Sequence, residues 1–239
     1  MSARPDTTRR AAARIAGAGY LALFVLAILA NFVVKQGIFD AADPTATAAA
    51  LVEQEGLFRL GVASWVAIAL LDVLVAWALF VLVAPAGRSR ALLVAWFRVV
   101  YAALLGAGVV FQLLALEVAT GAESSPELAM LLLGGFDLAW SLGLVAFGLH
   151  LVLLGALLLR ARIAPRWIAV VLMAAGAAYL VDNLARVLMT DYAAIAPVMM
   201  AVVAIPSIVA ELSFTVWLLL AGRRSSAATR EAEPALAAA

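Results

Sequence analysis

The stretch LAMLLLGGFDLAWSLGLVAFGLHLVLLGALLL, from Leu128 to Leu159, runs 32 residues with only two ionisable side chains, Asp137 and His150. A helix rises about 1.5 Å per residue, so roughly 20 apolar residues cross the hydrocarbon core of a bilayer. This run exceeds that length. Five others pass the same test: Ile15–Val34, Leu57–Val83, Ala91–Leu116, Trp167–Leu188 and Ala196–Ala221. The chain therefore reads as all-α, a polytopic membrane bundle of six transmembrane helices. Composition agrees: 67% of residues are hydrophobic, 13% are charged and mean hydropathy is +1.11, against an apolar share of roughly 45–50% in soluble domains. The second and fourth runs are longer than a perpendicular crossing needs, which implies tilt or extension into the interface.

The arginines set the orientation. Arg4, Arg9, Arg10 and Arg14 precede the first run, Arg88 and Arg90 separate the second and third, and Arg160, Arg162 and Arg166 separate the fourth and fifth. Arg223, Arg224 and Arg230 follow the sixth. The three remaining connections carry Asp40, Asp43, Glu53, Glu55, Glu117, Glu123, Glu127 and Asp191, with Lys35 as their only basic residue. The positive-inside rule then predicts a multi-pass plasma-membrane protein with both termini in the cytoplasm. Basic residues ahead of an apolar run also suggest a signal peptide. The first run is long, however, and lacks a clean small-x-small cleavage site, so a retained helix is expected. Residues 1–14 read as a basic cytoplasmic N-terminus and 15–222 as the transmembrane domain. The Ala/Glu-rich segment 223–239 reads as a disordered cytoplasmic tail. Asp43-Pro44 and Ser125-Pro126 have the form of N-cap and first-turn pairs, predicting a short outer helix over 44–54 and the start of the fourth membrane helix. Pro206 removes one backbone hydrogen bond inside the sixth and should kink it five residues before Glu211.

Eight ionisable side chains fall inside these runs: Arg59, Asp72, Arg98, Asp137, His150, Asp182, Arg186 and Glu211. A charge in hydrocarbon costs at least ~2.5–3.5 kcal/mol on insertion scales, so such groups face a protein interior and find partners there. Measured along the helices, Asp72, Arg98, His150 and Glu211 form an inner layer toward the basic ends. Arg59, Asp137, Asp182 and Arg186 lie further out, with Arg59 near enough to the surface to snorkel. Helical spacing places Arg98, Tyr101, Leu105, Gly108 and Gln112 on one stripe and Ser207, Glu211 and Thr215 on another. The outer four sum to zero charge and are expected to lock packing, with Asp182 and Arg186 paired at i,i+4 and facing Asp137 and Arg59. The inner layer, with Tyr101, is the candidate binding site. Asp72 and Glu211 face one Arg98, leaving an excess of one negative charge when His150 is neutral. One shared titratable proton is expected there, held by His150 or by a carboxylate.

Each helix leading away from the basic side carries a tyrosine (Tyr20, Tyr101, Tyr179), and each returning helix an ionisable group (Asp72, His150, Glu211). Three repeated hairpins would produce this pattern, and so would chance among Ala/Leu-rich helices. The sequence words Glu55-Gly-Leu-Phe-Arg59, Trp96-Phe-Arg98-Val-Val-Tyr101, Phe147-Gly-Leu-His150-Leu151, Ala175-Gly-Ala-Ala-Tyr179-Leu-Val-Asp182 and Glu211-Leu-Ser-Phe-Thr-Val-Trp217 occur in this order. In that order they resemble a bacterial integral membrane family catalogued only as domain of unknown function 4386. The resemblance covers about Ile15 to Gly222, and the Ala/Glu-rich tail departs from it. It implies a six-helix membrane protein and supplies no activity, substrate or site residue.

Scarcities remove whole mechanisms. One histidine and no cysteine cannot supply a zinc hydrolase site, bis-histidine haem or thiol redox chemistry. Lys35 ends the first helix near water, which is no place for a retinal Schiff base. No phosphate-binding or dinucleotide glycine motif appears, and Gly134-Gly135 reads as close helix packing. No nucleophile elbow supports a Ser/His/Asp triad. No cofactor, metal, nucleic-acid partner or enzymatic activity is expected. Three functions remain. The first is binding or translocation of a small amphipathic or cationic solute or a proton, for which six helices are few and a homo-oligomer is expected. The second is a non-catalytic membrane scaffold or regulator. The third, weakest, is a lipid-modifying enzyme using acid–base carboxylates.

Overall fold

In the computed structural model the backbone is described for residues 4–236 and side chains for residues 8–222. Helix α1 runs Arg4–Ile28 and continues through π-helical turns, Leu29–Lys35, into a last turn, Gln36–Ile38. A short helix α2 spans Pro44–Glu53, followed by α3 (Glu55–Val83), α4 (Arg88–Thr120), α5 (Pro126–Ala161), α6 (Arg166–Leu188) and α7 (Ala196–Leu236). Six of these are long and apolar enough to cross a membrane, as expected. The expected tail falls on residues whose side chains lie outside the described part, and the α7 backbone is helical to Leu236.

The boundaries follow local chemistry. Asp43 caps α2 by accepting the Ala46 N–H at 2.9 Å, and Ser125 caps α5 through the Leu128 N–H at 3.4 Å. Each side chain satisfies one orphan donor of a first turn, and the proline that follows sits where its missing N–H costs nothing. The turn between α3 and α4 passes through Gly87 at φ +149°, a conformation open to glycine.

The six long helices form a closed ring: α1 packs on α3, α3 on α4, α4 on α5, α5 on α6, α6 on α7, and α7 returns to α1. The outer surface is apolar, with Leu70, Trp96, Leu131, Val181 and Val216 exposed, while Asp72, Arg98, His150 and Asn183 are buried. Water would reverse that pattern; hydrocarbon requires it.

Contact between α1 and α7 is made toward the basic ends. Arg14 Nε donates to the Gly222 carbonyl at 2.9 Å, Gly17 abuts Leu219, and Tyr20 meets Phe214 edge-on at 5.7 Å. Toward the acidic ends the π-helical turn of α1 leans on α3 instead, Val34 filling the space left by Gly61. The ring is therefore pinned at one end and loosened at the other, between α1 and α7. Closest packing occurs between α5 and α6, where a Cβ on Gly176 would lie 2.6 Å from the Gly148 carbonyl oxygen and one on Gly155 2.6 Å from that of Ala169.

Candidate functional site

The ring encloses a chamber of about 140 Å³ to which all six long helices contribute side chains. Its polar groups are Tyr20 from α1, Asp72 from α3, Arg98 and Tyr101 from α4, Trp140 from α5, Tyr179 from α6 and Glu211 from α7. A single water needs only ~10–15 Å³ by the same kind of measure, so the chamber has room for a solute group. Four of the five residues expected at the binding site line it: Asp72, Arg98, Tyr101 and Glu211.

Arg98 organises the floor. It is 1% exposed, and its Nη2 lies 2.5 Å from Asp72 Oδ1 as a buried ion pair. Arg98 Nη1 donates to Tyr20 Oη at 2.6 Å, and the guanidinium lies 4.6 Å from the Tyr20 ring centre and 5.3 Å from that of Phe147. One carboxylate, one phenol and two ring faces thus hold one cation in a low-dielectric interior. The helical stripe of Arg98 and Tyr101 on the third run predicted none of Tyr20's role; the only hint was its place in the tyrosine pattern.

His150 is a correction. It is fully buried but does not line the chamber. Phe147, one turn away on α5, takes the place facing the chamber, and His150 stacks beside it at 5.7 Å, behind Arg98. Its Nδ1 is 2.9 Å from the Val94 carbonyl and its Nε2 is 3.3 Å from Arg98 Nη1. A carbonyl only accepts and a guanidinium only donates, so Nδ1 carries the hydrogen and Nε2 accepts, the pattern of a neutral imidazole. His150 positions Arg98 and brings no charge to the layer.

Glu211 is the unpaired member. Tyr179 Oη donates to its Oε1 at 3.4 Å, and among the described residues no basic side chain forms an ion pair with it. It retains partial exposure because it borders open space. A second cavity, about 900 Å³, lies toward the acidic ends and shares Phe24, Ala27, Trp140, Tyr179 and Glu211 with the chamber. Glu211 stands where the two meet. Ser207, one turn earlier on α7, is buried on the wall of the outer cavity beside the Tyr179 phenol, and the indole N–H of Trp140 lies toward the phenol of Tyr101. Thr215, on the same stripe, spends its hydroxyl on the Glu211 carbonyl at 2.6 Å.

The outer four charges do not form the expected layer. Arg59 pairs with Glu55 at 2.6 Å on an exposed face, because α3 begins at Glu55 and Arg59 is only its second turn. Asp137 is instead engaged by Lys35 at 2.6 Å, brought to it by the extended outer end of α1. Asp182 and Arg186 make no direct ion pair among the described contacts; Tyr192 stands between them, donating to Asp182 at 2.5 Å and accepting from Arg186 at 3.2 Å. Burial first, then donation to Asp182, raises the Tyr192 phenol above the ordinary tyrosine value. Gly135 is packed against Phe111 as expected, but Gly134 faces open space. Exposed pairs are worth at most about 1 kcal/mol. Arg59→Ala and Arg186→Ala should therefore each leave the detergent melting transition within about that margin of the parent.

The profile of a domain of unknown function, DUF4386, matches residues 15–222. The chain belongs to that family. An uncharacterized protein of Archaeoglobus fulgidus is similar to it, 29% identical over 159 residues that cover 66% of this chain and 82% of that protein. No solved structure matches the chain.

Proposed function

We propose that this is a non-enzymatic multi-pass membrane protein that binds, and passes along its helix ring, a small amphipathic solute. The observation that supports this best is Glu211, a membrane-embedded carboxylate without an ion-pair partner among the described residues, set at the junction of the inner chamber and a wide outer cavity. A group kept only to lock helices would be paired and enclosed, as Asp72 and Arg98 are. Asp72 and Arg98 balance, so one further positive charge, a proton or a bound cation, completes the interior. The segregation of arginines supports termini in the cytoplasm of a plasma membrane, with the outer cavity turned toward the opposite side.

Because the sequence has no cysteine, single cysteines report access cleanly. Ala204 lines the outer cavity and Ala27 lines both. In intact cells Ala204→Cys and Ala27→Cys should react with a membrane-impermeant maleimide added outside, and a cysteine replacing Ser89, in the arginine-bearing turn, should not. No reaction at either cavity position, with the protein folded, would favour a sealed scaffold. Reaction of the Ser89 position alone would reverse the orientation.

A further inference from the structure

Two carboxylate–phenol–ring sets face this interior, and only one holds a cation. In the first, Asp72, Tyr20 and Phe147 surround the guanidinium of Arg98. In the second, Glu211 and Tyr179 stand beside Trp140 and Phe24, all four on the shared boundary of the two cavities. Building on the solute-binding reading above, we propose that the second set takes an amphipathic organic cation, an ammonium group bearing an apolar body, with the ammonium against Glu211.

Charge points the same way. The charged groups facing these two cavities are Asp72 from α3, Arg98 from α4, Glu211 from α7, Lys35 from α1 and Asp137 from α5. Tyr20, Tyr101 and Tyr179 are the other titratable groups there, while His150 stands behind Arg98. Asp72 cancels Arg98 at 2.5 Å and Asp137 cancels Lys35 at 2.6 Å, leaving Glu211 as the one unmatched charge. A desolvated cation is stabilised by a carboxylate and by aromatic faces together, and Arg98 already occupies the faces of Tyr20 and Phe147. Of the rings beside Glu211, Trp140 packs on Trp65 and Phe136 and Tyr179 meets Phe147 edge-on, so a ligand would meet Phe24 and the sides of Trp140 and Tyr179 that line the cavity.

The apolar body follows from the walls. Between Glu211 and the outer end, the larger cavity is lined by Ala27, Leu133, Ala204 and similar side chains. Three of its lining residues, Phe32 on α1 with Met200 and Ile208 on α7, are 63%, 68% and 51% exposed on the apolar exterior. They flank the side on which α1 leans away toward α3, so the cavity borders hydrocarbon between α1 and α7. A solute reaching Glu211 by that side must partition into the bilayer, which amphipathic cations do and simple metal ions do not.

The test uses the full chain purified in uncharged detergent, with benzyltrimethylammonium as probe and neopentylbenzene, its carbon isostere, as control. Melting transitions and calorimetric titration read saturable binding, because a ligand that binds only the folded state raises its stability. Benzyltrimethylammonium should bind saturably to the parent. Affinity should drop about tenfold or more in Glu211→Gln and be partly retained in Glu211→Asp. Ala27→Trp or Ala204→Trp, each placing an indole in the cavity, should abolish it; two positions are used so that misfolding of one leaves the other to answer. Neopentylbenzene should not compete. If it binds as well as the cation and Glu211→Gln changes nothing, the cation assignment falls while the solute-binding reading survives. If neither probe binds saturably to the folded parent, the cation assignment falls. If in addition the cavity cysteines stay unlabelled, the solute-binding reading falls with it.

Discussion

Arg98→Ala is expected to be the most damaging single substitution in the interior, destabilising the bundle by about 3–5 kcal/mol. The side chain is 1% exposed and is held by Asp72, Tyr20, His150 and two ring faces. Truncation removes every one of these contacts, strands the Asp72 carboxylate in a low-dielectric interior and leaves Val94-bound His150 without its second partner. Loss of most folded protein on extraction, or a large drop in the melting transition followed by tryptophan fluorescence, is the expected result. The double variant Asp72→Asn/Arg98→Met removes both charges together. It should recover part of the loss, because a buried ion pair is costly to break and close to neutral to replace whole. If Arg98→Ala melts with the parent, the floor of the chamber is hydrated and the ion pair contributes little.

The second large effect is expected at the α5–α6 crossing. Ala at Gly176 would place its methyl 2.6 Å from the Gly148 carbonyl oxygen and 2.8 Å from the Val152 nitrogen. These are backbone atoms of a helix and cannot rotate away, so the two helices must separate. The loss is expected at about 1–3 kcal/mol for Gly176→Ala, from overpacking alone, and larger for Gly176→Val. Gly148→Ala meets the same wall from the other side, 2.8 Å from the Gly176 carbonyl, so the two effects should not add. Gly134→Ala is the internal control. Nothing lies within 4 Å of that position, and replacing glycine by alanine in a helix is neutral to stabilising by up to about 1 kcal/mol. Denaturant titrations of the four variants in one detergent would read the order directly.

These two sites differ in how they could be found. The tight crossing is written as spaced glycines, Gly148 against Gly176 and Gly155 against Ala169, but the same sequence signal at Gly134 means open space. A glycine in an apolar helix marks an absence of side chain, and only the neighbouring helix determines whether that absence is filled. The π-helical turn at Leu29–Lys35 had no legible signal. It shifts the outer end of α1, which is how Lys35, expected beside water, comes to meet Asp137 across 102 residues.

By itself the sequence determined the spans, their order, the separation of basic from acidic ends and the fact that its buried charges must be internal. Each of those follows from quantities that are local along the chain: run length against bilayer thickness, a capping side chain one turn from the amide it satisfies, and the energy of one charge in hydrocarbon. The tertiary structure decided the pairing. Asp72 finds Arg98, Asp137 finds Lys35, Asp182 reaches Arg186 only through Tyr192, and Glu211 is left with a phenol. Partner choice depends on how each helix is rotated and tilted in the ring, and that is set by the summed packing of many small apolar contacts. Depth along a helix is fixed by counting residues; azimuth is not. A rotation of about one sixth of a turn separates Phe147 facing the chamber from His150 facing it, and no periodicity in so uniformly apolar a helix distinguishes the two.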